Sequence, residues 1–205
     1  MANIMYVGFP GDELRKIKSI IYDAERIVRA SEYSISSWDS RARLYYKKWF
    51  GEVVNNDTGQ VPNVLSKMLN CLTSGKFKLT YDLAADCDGD TYAAAAAGDK
   101  PETYDAISKG ADFEMTICPK MWDLKRYKET EEEADTQVLT FIHELSHLAG
   151  GTDDEPHPSQ ANKKAYGKQA AITLAKNNST SARNNADNYA FFCKDLAHFS
   201  MMGFG

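Results

Sequence analysis

Two histidines four residues apart, with a glutamate directly after the first, stand in the run HELSH at 143–147. On a helix, residues four apart lie one above the other on the same face, so His143 and His147 can reach one metal ion together. Imidazole nitrogens bind zinc at about 2.0–2.1 Å. Glu144 is turned one residue step away, close enough to reach a metal-bound water without itself binding the metal. That division of labour is hydrolytic: the ion acidifies a water and polarises a carbonyl, and the carboxylate takes the proton as general base. The competing reading is a pair of packed or solvated histidines with no metal.

A catalytic zinc needs a third protein ligand and an open fourth position. The run GGTDDEPH at 150–157 turns the chain after its glycines and offers Asp153, Asp154, Glu155 and His157. The step from His147 to Asp153 also fits H-x-x-G-x-x-D, which calls for a methionine-containing turn beneath the metal; Met201 and Met202 are available for one. Spacing alone leaves these ligands open.

The elements that must position these groups are mostly helical. Residues 135–149 carry Val138, Leu139, Ile142, Leu145 and Leu148 as an apolar stripe, with Asp135 as N-cap and Gly150 and Gly151 as the stop. Helices are also predicted over 13–30, 37–50 and 61–72, and after the histidines over 159–176 and 182–199. Alternation at 77–81 and 113–118 predicts strands, with 91–95 as another and 86–90 as a turn between them. Asp88 and Asp90 lack the twelve-residue pattern of a calcium loop, so they read as an acidic turn. The acidic run at 128–135 reads as a solvated lead-in to the histidine helix, where negative charge is favourable.

At 205 residues the chain is long enough to bury a core without staples, and it reads as one domain over 1–205, with a helical part at 1–75 and the sheet, histidine helix and last helices at 76–205. A net charge of −5 argues against nucleic acid as a partner, because phosphate binding needs clustered positive charge. No apolar run reaches the ~18 residues of a membrane span. The first residues are broken by Gly8 and Pro10 and have no basic lead, so they do not read as a secretory signal. Cys71, Cys87, Cys118 and Cys193 show no C-x-x-C spacing and read equally as two disulfides or as free thiols.

Beyond HELSH, the runs GGTDD at 150–154, YG at 166–167 and NADNYAFF at 185–192 resemble the aspzincins, the deuterolysin and peptidyl-Lys metalloendopeptidase family; YYKKWFG at 45–51 and ICPKMW at 117–122 add to the likeness. The resemblance implies an α+β zincin-like metalloprotease, mainly helical, with a small twisted sheet beside the H-E-x-x-H helix. It implies an endopeptidase acting on protein or peptide substrates with one zinc ion, working as a monomer outside the cell. In the family's G-T-x-D element the last residue is the third ligand, which selects Asp154. Glu144 matches the catalytic base. The pattern continues D-x-x-Y-G, whose Tyr stabilises an oxyanion. Here Tyr166 lies twelve positions after Asp154, where the family has three, so residues 155–165 form an insertion and Tyr189 is the second candidate. Asp187 matches the Asp of the acidic Asp-x-x-Glu pattern in lysine-specific members, while Ala190 stands where the Glu would be. Asp187 is thus expected either to bind substrate, favouring Lys at P1′, or to orient a ligand histidine. The family's disulfides imply Cys87–Cys118, leaving Cys71 and Cys193 as a second pair. A zinc-binding toxin or binding module with little proteolysis is the alternative, if the insertion covers or misplaces the Tyr.

Overall fold

The computed structural model describes residues 2–53, 59–82, 87–95, 114–126, 135–160 and 162–202. The apolar stripe at 13–30 becomes the long helix α1 (Gly11–Ser37). It outruns the sequence reading because the stripe continues through Ser31, Ser34 and Ile35, with the buried Ser31 hydroxyl bonded back to the Ile27 carbonyl at 2.9 Å. Helix α2 (Ser40–Phe50) starts where the Asp39 carboxylate accepts from Ala42 N at 2.7 Å. It ends at Gly51, whose φ of 81° and close approach to Ala175 O leave no room for a side chain: a Cβ would sit 2.6 Å from that oxygen. Helix α3 (Gln60–Ser74) matches its expected range closely.

Among the described residues the sheet has four strands, β1 (Asn3–Val7), β2 (Lys76–Tyr81), β3 (Ala93–Ala95) and β4 (Glu114–Ile117), in the order β1-β2-β4-β3. Strand β2 pairs in parallel with both β1 and β4, and β3 closes the far edge antiparallel to β4. Strand β1 is an element that the helical description of 1–75 did not include. Its register, Asn3 opposite Lys76 through Val7 opposite Thr80, ties the start of the chain to the sheet. Cys87 and Cys118 form a disulfide across 31 positions beside β4. Cys71 and Cys193 are not its counterpart: both are reduced thiols in the apolar core, where burial pushes their pKa up to about 12 and keeps them unreactive.

Helix α4 (Gln137–Leu145) carries the first histidine. Its cap is Thr136 rather than Asp135: the extended Thr136 accepts from Leu139 N at 3.2 Å and is wholly buried, while Asp135 stays exposed. One face of α4 is a solid apolar wedge, Val138, Leu139, Phe141, Ile142 and Leu145, each at most 3 % exposed. It packs on α1, on β3 and on α7 (Ala186–Met202). Each such side chain contributes about 1.5–3 kcal/mol by burial, so the wedge fixes the orientation of the opposite face. Trp49 stacks on Phe191, and Phe50 meets Tyr189 and Phe192, joining α2 to the same core.

The last helices differ from the sequence reading. Residues 159–160 and 162–167 are not helical, and α5 (Lys168–Asn177) starts only after Gly167. The stretch read as one helix over 182–199 is broken at Asn185, between α6 (Ser179–Asn184) and α7, because Asn185 takes an extended conformation to pair with Asp153. Among the described residues, no helix is long and apolar enough to cross a membrane.

Candidate metal centre and active site

Helix α4 does not end in an ordinary turn. Ser146–Gly150 widens into a π turn, and Gly151, at φ 67°, reverses the chain. Gly150 is pressed against α3, where a Cβ would lie 2.6 Å from Val64 Cγ1. The reversal sends Thr152 back under the helix: its hydroxyl meets Ser146 Oγ at 2.7 Å. The chain then runs extended alongside Asn185, with Asp153 N on Asn184 O at 2.7 Å and Ala186 N on Asp153 O at 3.0 Å. Neighbours in an extended segment point to opposite sides, so Asp153 faces out and Asp154 faces the histidines. This alternation brings Asp154, and not Asp153, to the two histidines.

His143, His147 and Asp154 come together. His143 Nε2 is 3.1 Å from His147 Nε2, and Asp154 Oδ1 is 3.2 Å and 3.4 Å from those two nitrogens. Both rings are held from behind. His147 Nδ1 meets the Thr152 carbonyl at 2.7 Å, an oxygen that can only accept, so Nδ1 carries the proton. His143 Nδ1 donates to Asp187 Oδ1 at 2.6 Å. In the neutral rings both Nε2 lone pairs then face one point, together with a buried Asp154 Oδ1 that has no hydrogen-bond partner. Three electron-rich atoms turned on one another need a cation between them. Their separations match the edge of a tetrahedron around an ion bound at 2.0–2.1 Å, about 3.3 Å. The donor set, two imidazoles and a carboxylate, suits zinc.

The electrostatics say the same. Burial pulls the His143 pKa down, but Asp154 and Asp187 outweigh it and hold the imidazole well above its ordinary value. His147 is raised too, with Asp154 overcoming burial. Asp154, despite partial burial, is drawn far below the usual carboxylate range by the two histidines. The site therefore attracts positive charge, as protons or as a metal.

Glu144 stands beside the triangle, 9 % exposed. Its Oε2 accepts from the backbone N–H of Ala95 on edge strand β3 at 2.8 Å, and its Oε1 lies 3.9 Å from His143 Nε2. Burial pushes its pKa up against the pull of both histidines. Tyr166 donates its hydroxyl to Asp154 Oδ2 at 2.7 Å, and its ring centroid is 6.0 Å from that of His143. Enclosure of the phenol and the neighbouring Asp154 raise its pKa. The twelve-residue separation is thus closed in space. Tyr189, the second candidate, is wholly buried and spends its hydroxyl on Arg183 O at 2.7 Å. His157 stays out on the insertion, bonded to Ser159 N at 3.2 Å. Asp187 is nearly buried, and its second oxygen accepts from Gly167 N at 2.6 Å. Thr152, Asn185 and the Ala95 N–H are parts of the arrangement that the motif reading did not single out. A backbone donor leaves no trace in residue types, but Asn185 lies inside a run that the resemblance had already marked.

Comparison with known proteins places the chain. The family described as lysine-specific metallo-endopeptidase, aspzincin M35, matches residues 36–194. The chain belongs to this family of zinc metalloendopeptidases. It is 28% identical to the peptidyl-Lys metalloendopeptidase of Pleurotus ostreatus over 152 residues, 73% of each chain. It is 28% identical to that of Armillaria mellea over 80% of this chain and 39% of the other. An extracellular protease of Aeromonas hydrophila is 26% identical over 73% of this chain and 35% of its own length. Among solved structures, a zinc peptidase from Grifola frondosa shares the fold, with a TM-score of 0.64 and 22% identity over 91% of this chain and 96% of that one.

Proposed function

We propose that this chain is an endopeptidase holding one zinc ion on His143, His147 and Asp154. The observation that carries the reading is the near-equilateral triangle of 3.1, 3.2 and 3.4 Å, with the Glu144 carboxylate alongside. When bound, zinc supplies Lewis acidity and makes water a nucleophile near neutral pH. Glu144 is the general base: Ala95 N–H fixes one oxygen, and the other is left to take the proton of the attacking water and hand it to the leaving amine. Tyr166 supplies a hydrogen bond to the developing oxyanion, exchanging Asp154 Oδ2 for it as substrate enters. Asp187 orients His143, since both of its oxygens are already engaged by His143 and Gly167.

A preference for Lys at P1′ belongs to the proposal. It is supported by the names of the fungal relatives and by the negative charge around the site. The disulfide favours an oxidising, extracellular setting. The non-proteolytic alternative drew its support from an insertion that would misplace Tyr166, and here the phenol sits on Asp154. The test is digestion of a denatured protein mixture by the zinc-loaded chain, with fragments read by mass spectrometry. Cuts enriched before Lys and stopped by a chelator are expected; zinc bound one to one with no cuts would refute the reading.

A further inference from the structure

Sequence spacing separates Asp154 from Tyr166 by twelve positions, yet their side chains meet at 2.7 Å. The intervening chain leaves and returns at one place. Pro156 and Lys164 pair as antiparallel partners, and His157 N donates to Lys163 O at 2.8 Å. At the base, Ala165 N donates to Glu155 O at 2.8 Å. A regular ladder would there return a second bond, from Glu155 N to Ala165 O. A side-chain amide stands in its place. Asn185 Oδ1 accepts from Glu155 N at 3.0 Å, and Asn185 Nδ2 donates to Ala165 O at 3.4 Å and to Asn188 Oδ1 at 2.7 Å. Asn185 is 1 % exposed, so these are bonds without competing water. Asn184 Nδ2 adds a bond to Glu155 Oε1 at 2.8 Å.

We infer that Asn185 is a positioning residue: its buried amide is the clasp that closes the base of the 155–165 excursion and so keeps Tyr166 on Asp154. The inference rests on Asp154 and Tyr166 serving the zinc site as proposed above. It has a consequence for how the excursion is attached. If the clasp holds Glu155 and Ala165 together, removing 156–164 and joining those two residues keeps Asp154 and Tyr166 side by side, because Asp154, Glu155, Ala165 and Tyr166 then follow one another directly; the one contact to Asp154 lost with the excursion is that of Lys164 Nζ on its carbonyl, 2.7 Å. The peptide bond replaces the clasp, and Asn185 becomes dispensable for the site.

Four proteins test this: the full chain, Asn185→Ala, the 156–164 excision, and both changes together. Zinc affinity is read by competition with a chromophoric chelator, and kcat and KM on a short peptide are read separately. In the full chain, Asn185→Ala is expected to weaken zinc binding about 10-fold and lower kcat comparably, with KM within about twofold, in the range for groups that hold ligands in place. The excision alone is expected to keep zinc affinity within about threefold, and Asn185→Ala on top of it to cost less than about threefold. Such non-additivity marks groups acting through one contact. Equal losses in both backgrounds would overturn the inference, since Asn185 would then act through Asn188 and the start of α7. No loss in the full chain would overturn it as well. Should the excised chain fail to fold, Pro156→Cys with Lys164→Cys provides a second covalent closure. Asn185→Ala should then be tolerated in the oxidised form and costly in the reduced one, and equal costs in the two forms would refute the clasp. If the unaltered chain takes up no zinc, the proposed function fails and the clasp's purpose falls with it; if it takes up zinc and cleaves while Asn185→Ala matches it, the clasp fails alone.

Discussion

The two faces of helix α4 are held by different physics. On one side Val138, Phe141, Ile142 and Leu145 are buried to 0 % exposure against other apolar side chains. On the other, His143 and Glu144, and His147 on the π turn that continues the helix, are each held through hydrogen bonds, to Asp187, to Ala95 N and to Thr152 O. The apolar face is non-directional and tolerant in register, and it decides where the helix lies. The polar face is directional, and it decides where three atoms point. The difference sets an expectation: unfolding free energy should respond mainly to the apolar face, and zinc binding mainly to the polar one.

The largest break in that comparison comes from the apolar side. Phe141→Ala should cost about 3–5 kcal/mol of unfolding free energy, measured in urea, while the protein that remains folded binds zinc with unchanged affinity. A parallel loss of zinc affinity in the folded fraction would show that the faces are coupled. From the polar side, Asp187→Asn removes the charged acceptor behind His143 and should lower zinc affinity about 10–100-fold, with a much smaller change in stability.

Acidity separates the faces further. Zinc needs neutral imidazoles, and Asp154 raises the pKa of both histidines, so protons compete for the site and zinc affinity should fall as pH drops through those raised values. The metal-free fold should respond in the opposite sense. A raised histidine pKa gives stability that is fully present below the unfolded value of about 6.5 and lost as pH rises through the folded value. A lowered Asp154 pKa gives stability that is present above the unfolded value of about 3.9 and lost as pH falls through the folded one. The metal-free chain should therefore be most stable between about pH 4 and 6.5 by these groups, where its zinc affinity is already declining. Thermal unfolding with and without chelator across pH checks this, and parallel trends would contradict it. The smallest expected effect lies far from the site. Asp39→Ala removes the α2 cap and should cost about 1 kcal/mol with zinc affinity unchanged.

Legibility in the sequence followed the same divide. The apolar stripe of α4 and the pair His143 and His147 are local patterns, and both could be read directly. Strand β1 could not, because its partner β2 lies some seventy positions away and its own residues alternate between half-buried and exposed. Asp153 against Asp154 was undecided by spacing, because the answer depends on an extended pairing with Asn185. The nearness of Tyr166 to Asp154 was hidden for a related reason: it is produced by hydrogen bonds from a distant junction between α6 and α7. The disulfide Cys87–Cys118 followed from the family likeness, and Cys71 and Cys193 showed that buried cysteines need not pair.

The central claim is that the triangle holds zinc while Glu144 works beside it without holding it. Zinc content and peptide cleavage measured on the same preparations of the unaltered chain and Glu144→Gln address both halves at once. One zinc per chain in each protein is expected, with cleavage reduced about 100- to 10,000-fold in the variant. Undiminished cleavage by Glu144→Gln would contradict the account, and so would loss of zinc from it.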